Sequence, residues 1–157
     1  GEPLGMNENN MRQVRKGMYS VVNDRRGTGY RSRVIAEGVR MAGKSGTSQV
    51  RNITAAERAR GVSRNEDLPW ERRDHALFVA FAPYDKPRYA VSVLVEHGGG
   101  GSTAAAPIAR DVMLQAIYGG EPPLEAYPTA DRGRIAEQQK ALRAIQPQAD
   151  FSGKDQA

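Results

Sequence analysis

Residues 42 to 50 read Ala42-Gly43-Lys44-Ser45-Gly46-Thr47-Ser48-Gln49-Val50, which gathers one ammonium and three hydroxyls with no carboxylate among them. That mixture suits an anion. Hydroxyls and free backbone N–H groups donate hydrogen bonds that strengthen when the acceptor is ionised, and the lysine adds positive potential. Two known chemistries place a glycine-lysine-serine run in this way: a loop that cradles phosphates, or the Lys-(Ser/Thr)-Gly strand of certain serine acyltransferases.

The phosphate loop has a full pattern match, since Gly38-Val39-Arg40-Met41-Ala42-Gly43-Lys44-Ser45 satisfies G-x-x-x-x-G-K-[ST]. Its mechanism also needs an apolar strand before the loop and a helix opening near the lysine, so that N–H groups and the helix dipole converge on phosphate. Upstream, Arg31-Ser32-Arg33-Val34-Ile35-Ala36-Glu37 is too charged for a central strand; downstream, Gly46, Thr47, Ser48 and Val50 are poor helix formers. Val91-Ser92-Val93-Leu94-Val95-Glu96 offers a strand ending in a carboxylate, but three strands are few for a nucleotide-binding sheet. As a strand, the run puts Lys44, Gly46 and Ser48 on one side and Ser45 and Thr47 on the other. A mid-strand glycine weakens a strand unless something approaches the backbone closely, and a ligand is the expected visitor. An extended substrate would pair with this main chain while Ser45 and Thr47 bind its carboxylate and Lys44 supplies potential.

The elements that position this run follow from periodicity. His75 to Ala82 and Arg88 to Val95 are rich in β-branched and aromatic residues and flank the turn-forming Pro83-Tyr84-Asp85-Lys86-Pro87, which predicts an antiparallel hairpin. Met11, Val14, Met18 and Val21 recur at intervals of three and four, which predicts an amphipathic helix over about residues 6–22. After Gly98-Gly99-Gly100-Gly101, the segment Ser102 to Tyr118 has a capping candidate in Ser102 or Thr103, an early Pro107 and apolar Ile108, Val112, Leu114 and Ile117. The expected architecture is α+β: an antiparallel sheet of strands at about 42–51, 75–82 and 88–96, flanked by helices. From Glu121 the composition shifts. Pro122-Pro123 and Tyr127-Pro128 read as a linker, and residues 130–145 as a helix with a thin face of Ile135, Leu142 and Ile145, for which weak docking or disorder at both ends is expected.

In chain order, Arg15-Lys16-Gly17-Met18-Tyr19, Gly27-Thr28-Gly29, Ala42 to Val50, Arg73-Asp74-His75, Phe81-Ala82-Pro83-Tyr84 and Glu96-His97-Gly98-Gly99 resemble the C-terminal part of the class B penicillin-binding proteins. The ordered set spans about residues 5–118 and is far more specific than any one motif. The resemblance implies a partial penicillin-binding transpeptidase fold over residues 1–120, with 121–157 as linker and tail. It also implies a parent serine D,D-transpeptidase at the periplasmic face of the inner membrane. Such an enzyme cross-links peptidoglycan stem peptides through an acyl-enzyme, is acylated by β-lactams and needs no cofactor. Residue by residue, Lys44 resembles the lysine that shapes the electrostatics around the nucleophile. Ser45 and Thr47 resemble the carboxylate-binding hydroxyls beside Gly46, and the Thr47 backbone N–H one of two oxyanion-hole donors.

The departure from the family pattern decides the mechanism. No serine has a lysine three residues later, so the nucleophile element is absent. The single Ser-x-Asn match, Ser63-Arg64-Asn65, follows Lys44 where the family element precedes it, and reads as accidental. The expectation is a substrate-recognition fragment, inactive alone, its opening Gly1-Glu2-Pro3 that of an excised piece or a cleavage product. The competing class is an independent protein-interaction module.

Composition bounds the rest. At 157 residues and 39% hydrophobic, one domain with a modest core is expected. No run approaches the roughly 18 apolar residues of a membrane span, so the fragment is expected to be soluble. The charge of +5 is spread along the chain, and the arginines from Arg51 to Arg73 alternate with Glu57, Glu66, Asp67 and Glu71, a pattern of solvated surface and not of nucleic-acid binding. With two histidines and no cysteine, a transition-metal site is not expected. His97-Gly98-Gly99-Gly100 imitates a lipase oxyanion loop, but no G-x-S-x-G elbow accompanies it. Asp74-His75 reads as a structural pair, Trp70 equally as an anchor for the connector or a partner contact, and Tyr84 and Tyr89 as packing around the hairpin turn.

Overall fold

Two adjacent β-rich runs joined by a proline-bounded turn fold as expected into a hairpin, and the Lys-Ser-Gly run pairs with its first strand. The computed structural model describes residues 5–145; the expected opening and the extreme C-terminus lie outside the described residues. Strands β1 (Ala42–Ser48), β2 (His75–Ala82) and β3 (Tyr89–Val95) form one antiparallel sheet in the order β1-β2-β3. Ser45 lies opposite Phe78, which lies opposite Val93; Gly46 lies opposite Leu77, which lies opposite Leu94. One face of the sheet therefore carries Ala76, Phe78, Ala80 and Ala82, all buried. The other carries Val79 and Leu94, 43% and 55% exposed.

Helix α1 (Glu8–Asn23) is capped by Asn7, whose side chain accepts from the backbone N–H groups of Asn9 and Asn10. It lies against β1 and is pinned at its end by Asn23, which donates to the Met41 carbonyl at 2.9 Å. Its buried residue is Val22, whereas Met11 and Val14 of the periodic stripe stay 38% and 55% exposed. The stripe announced the helix; Val21 at its end packs against the core, while no described residue covers Met11 and Val14 enough to bury them.

Helix α2 (Ala55–Arg60) is a short exposed helix in the connector, capped by Thr54 and tied to Arg51 by a two-bond ion pair through Glu57 at 2.7 Å. The Arg51 hydrogen bond holds the Glu57 carboxyl below its ordinary range. Helix α3 (Ala106–Tyr118) packs Ala106, Ala109, Met113 and Leu114 against β2 and β3 and ends at Gly119 in the left-handed region, φ 66°. The expected Ser102 or Thr103 cap does not form. A π-helical turn over Gly101–Ala105 leads into α3 instead, and the Thr103 hydroxyl turns back to donate to Gly100 O.

Beyond Gly120 the chain joins this core. Ala126 and Tyr127 are buried within it, Ile35 N–H donates to Ala126 O, and α4 (Thr129–Ile145) buries Ile135 and Gln139. Leu142 and Ile145 remain exposed, so the apolar face of α4 is as thin as its sequence predicts. Its anchor is Arg110, fully buried on α3, which donates to Asp111 at 2.8 Å and Asp131 at 2.6 Å while its guanidinium lies 4.9 Å from the Tyr127 ring centre. Burial opposes the Arg110 charge, and the two carboxylates more than offset it, so its pKa is raised. Burial, with the charge of Asp111, pushes the Tyr127 hydroxyl up to about 12.

Candidate functional site

Among the described residues β1 has one strand neighbour, so its outer edge presents alternate N–H and C=O groups free of the ladder. The register puts Ser45 and Thr47 on one face of that edge and Lys44, Gly46 and Ser48 on the other. Lys44 and Thr47 are exposed and Ser45 is half-buried. The Lys44 ammonium folds onto its own strand and donates to Ser45 O at 2.7 Å. This geometry excludes the phosphate loop: Lys44 lies inside a strand running to Ser48, and no helix opens beside it.

Three residues that sequence reasoning passed over complete the surroundings. Thr28 brings its hydroxyl to 3.2 Å from the Ser45 hydroxyl. Asp24 and Arg26, beyond the C-terminal end of α1, line with Ser20, Thr28 and Lys44 a shallow hollow of about 360 Å³. The surroundings of Lys44 therefore include a carboxylate, contrary to the local sequence, although neither Asp24 nor Lys44 forms an ion pair among the described residues. The signal for Thr28 was present in Gly27-Thr28-Gly29, but nothing in the spacing placed that turn beside Ser45.

The close approach to Gly46 comes from the chain itself. A Cβ on Gly101 would overlap the carbonyl oxygens of Leu77 and Gly46 and lie 3.0 Å from Gly46 N, so only glycine lets the π-helical turn press on the middle of β1. The glycine run before it is fixed at its other end. Gly99 N–H donates to Asp74 O, His97 N–H donates to His75 Nδ1 at 2.9 Å, and the His97 ring bonds Arg73 O. Trp70 packs 4.5 Å from the His97 ring, and Asn65 clamps Asp74 by both its amide nitrogen and its oxygen. His75, Asp74 and Asn65 thus hold loop to sheet, with no hydroxyl in the cluster to activate. Gly101→Ala is expected to destabilise the fold by about 1–3 kcal/mol, the cost of overpacking against backbone that cannot yield. Urea unfolding measures it; an unchanged midpoint would show that the contact is slack.

The comparisons with known proteins fit this geometry. The penicillin binding protein transpeptidase domain matches residues 3–114. The chain is 42% identical over 114 residues to the peptidoglycan D,D-transpeptidase MrdA of Haemophilus influenzae, covering 73% of this chain and 17% of that protein. Among solved structures, the penicillin-binding protein PBP2 of Helicobacter pylori in complex with MreC aligns with TM-score 0.54 and 34% identity, covering 71% of this chain and 18% of that one. PBP2 of Pseudomonas aeruginosa in complex with WCK 5153 aligns with TM-score 0.52 and 31% identity, over 83% of this chain and 23% of that one. The chain belongs to the penicillin-binding transpeptidase family. Within that family it is a segment of the PBP2 type, and it spans about a sixth of the length of the curated relatives it matches.

Proposed function

We propose that this chain is the substrate-recognition segment of a peptidoglycan D,D-transpeptidase. In the intact parent, at the periplasmic face of the inner membrane, it would receive the stem peptide or a β-lactam along β1. The carrying observation is that Ser45 and Thr47 share one face of an open strand edge whose neighbouring lysine is exposed and charged. In this reading the two hydroxyls take the ligand's carboxylate, and Gly46 leaves the opposite face of the strand low. Lys44 supplies potential and is free to swing from Ser45 O when a nucleophile is beside it. The Thr47 N–H points to the same side of the strand as the Ser45 carbonyl, by the two-residue period, and would serve as an oxyanion donor. By itself the chain binds and does not turn over, since none of its serines lies in a Ser-x-x-Lys pair. MreC binding by one solved relative supports a protein partner for the parent as well.

Titration of the chain with N-acetyl-D-alanyl-D-alanine tests the reading. Saturable amide shifts are expected at Ser45 to Thr47, weakened about tenfold by Lys44→Gln, the loss typical of one charged hydrogen bond. Magnesium ATP should leave the melting temperature unchanged, because a ligand that does not bind the native state cannot stabilise it. No shift with the dipeptide, or stabilisation by magnesium ATP, would overturn it.

A further inference from the structure

We propose that Thr28 is a third hydroxyl of the carboxylate receptor, a specificity residue for a peptide ending in a free carboxylate; this rests on the reading of Ser45 and Thr47 just given. The Thr28 hydroxyl stands 3.2 Å from that of Ser45, 17 residues away in sequence, and the two form a side-chain bond that joins the Gly27 turn to β1. Thr28 is exposed, so the bond does not serve to satisfy a buried group.

The turn that carries Thr28 is fixed. Gly27 sits so close on α1 that a Cβ there would overlap Val21 O and lie 2.6 Å from Ser20 O. Gly27 N–H donates to Asp24 O at 2.8 Å and Gly29 N–H to Val21 O at 2.9 Å, so one neighbour of Thr28 is pinned to the residue that caps α1 and the other to its last turn. A side chain held on both sides by backbone bonds meets its partner with little entropy left to lose.

In the resting state one of the paired hydroxyls donates and the other accepts, which leaves the accepting group's proton free. A carboxylate oxygen entering beside them receives both protons, replacing one neutral bond by two charge-assisted ones. The hollow favours this visitor electrostatically. Lys44 and Arg26 line it beside Thr28, against the single carboxylate of Asp24, and although Ser45 does not line it they lend positive potential to the adjoining Thr28–Ser45 pair. A neutral C-terminal amide gains neither the charge-assisted bonds nor this potential, so Thr28 discriminates between the two ends.

The test compares N-acetyl-D-alanyl-D-alanine with its C-terminal amide by amide-shift titration of the whole chain. Thr28→Val, which keeps the shape and removes the hydroxyl, is expected to raise the Kd of the carboxylate about tenfold. It should leave the amide's binding where it was, and Thr28→Ser should restore the carboxylate's affinity. Equal carboxylate affinity in Thr28→Val and the parent sequence overturns the role of Thr28. If Ser45→Ala weakens binding while Thr28→Val does not, the recognition reading stands and only Thr28 falls. If the unaltered chain binds no dipeptide, both fall. Should Thr28→Val disturb the fold, seen as amide shifts far from the turn, Thr28→Ser decides: unaltered affinity supports the hydroxyl, and a tenfold loss overturns it.

Discussion

Incubated with an excess of a fluorescent penicillin, the chain is expected to take up no label, and its intact mass to remain that of the polypeptide. Acylation needs a serine oxygen whose proton is removed as it attacks, and the serine best placed for attack is Ser45. Its hydroxyl is bonded to Thr28, while the Lys44 ammonium is occupied at the carbonyl of the same residue. An ammonium has no lone pair to take a proton, and both histidines sit at the end of the sheet where β1 finishes, His75 opposite Ser48, engaged with each other's loop and with Arg73 O. In the proposed reading the chain keeps an anion receptor and one oxyanion donor, and loss of the nucleophile from such a unit lowers turnover on the order of a millionfold. A stoichiometric adduct would show that a residue of this chain is a competent nucleophile and would end the recognition-segment reading. Joining the chain to an upstream segment that carries Ser-x-x-Lys should restore labelling, and Lys44→Gln should then slow it.

The strands were legible because their β-branched and aromatic runs obey a two-residue period and are bounded by glycine and proline, so β2 and β3 fall within a residue of their expected limits. The Lys-Ser-Gly strand was legible only by combining poor helix propensity with the resemblance, since its own composition is that of a loop. Other features turned on tertiary contacts that no local pattern encodes. Gly46 was assigned a ligand as its close neighbour, yet Gly101 fills that place from 55 residues away, a separation the sequence does not reveal. The Ser102 cap was sound local chemistry, but the chain enters α3 through a π-helical turn pressed on the sheet, which moves the helix start past both hydroxyls. The segment after Gly120 reads as a linker from its prolines, and Arg110, which holds it in the core, is one arginine among many until its burial is known. At the candidate site the hydroxyl alternation was readable from strand period alone; Thr28, Asp24 and Arg26 were not, because a helix end brings them there.

In solution at micromolar concentration the chain is expected to sediment as a dimer or larger species. β3 is an edge of the sheet whose outer N–H and C=O groups meet no strand among the described residues, and the face beside it exposes Val79 and Leu94. The stripe of α1 adds Met11 and Val14, so several apolar side chains that the packing period marks for burial remain in water. A relative covered over only 17% of its length has ample chain to cover such surfaces; for these 157 residues by themselves, a second copy can cover them. Two β3 edges related by a two-fold axis would continue the antiparallel sheet from three strands to six and bring the two exposed faces into one layer, an isologous contact that closes at two. Exchange of a terminal helix would reach the same state by another route. Charged residues on an edge strand and its face oppose such pairing, so Val79→Lys with Leu94→Lys should shift the species to monomer without loss of cooperative unfolding. Sedimentation velocity across a dilution series reads the result. A monomer that is independent of concentration in the unaltered chain would mean that the exposed edge and stripe are tolerated in water, and the account of what this segment lacks would fail.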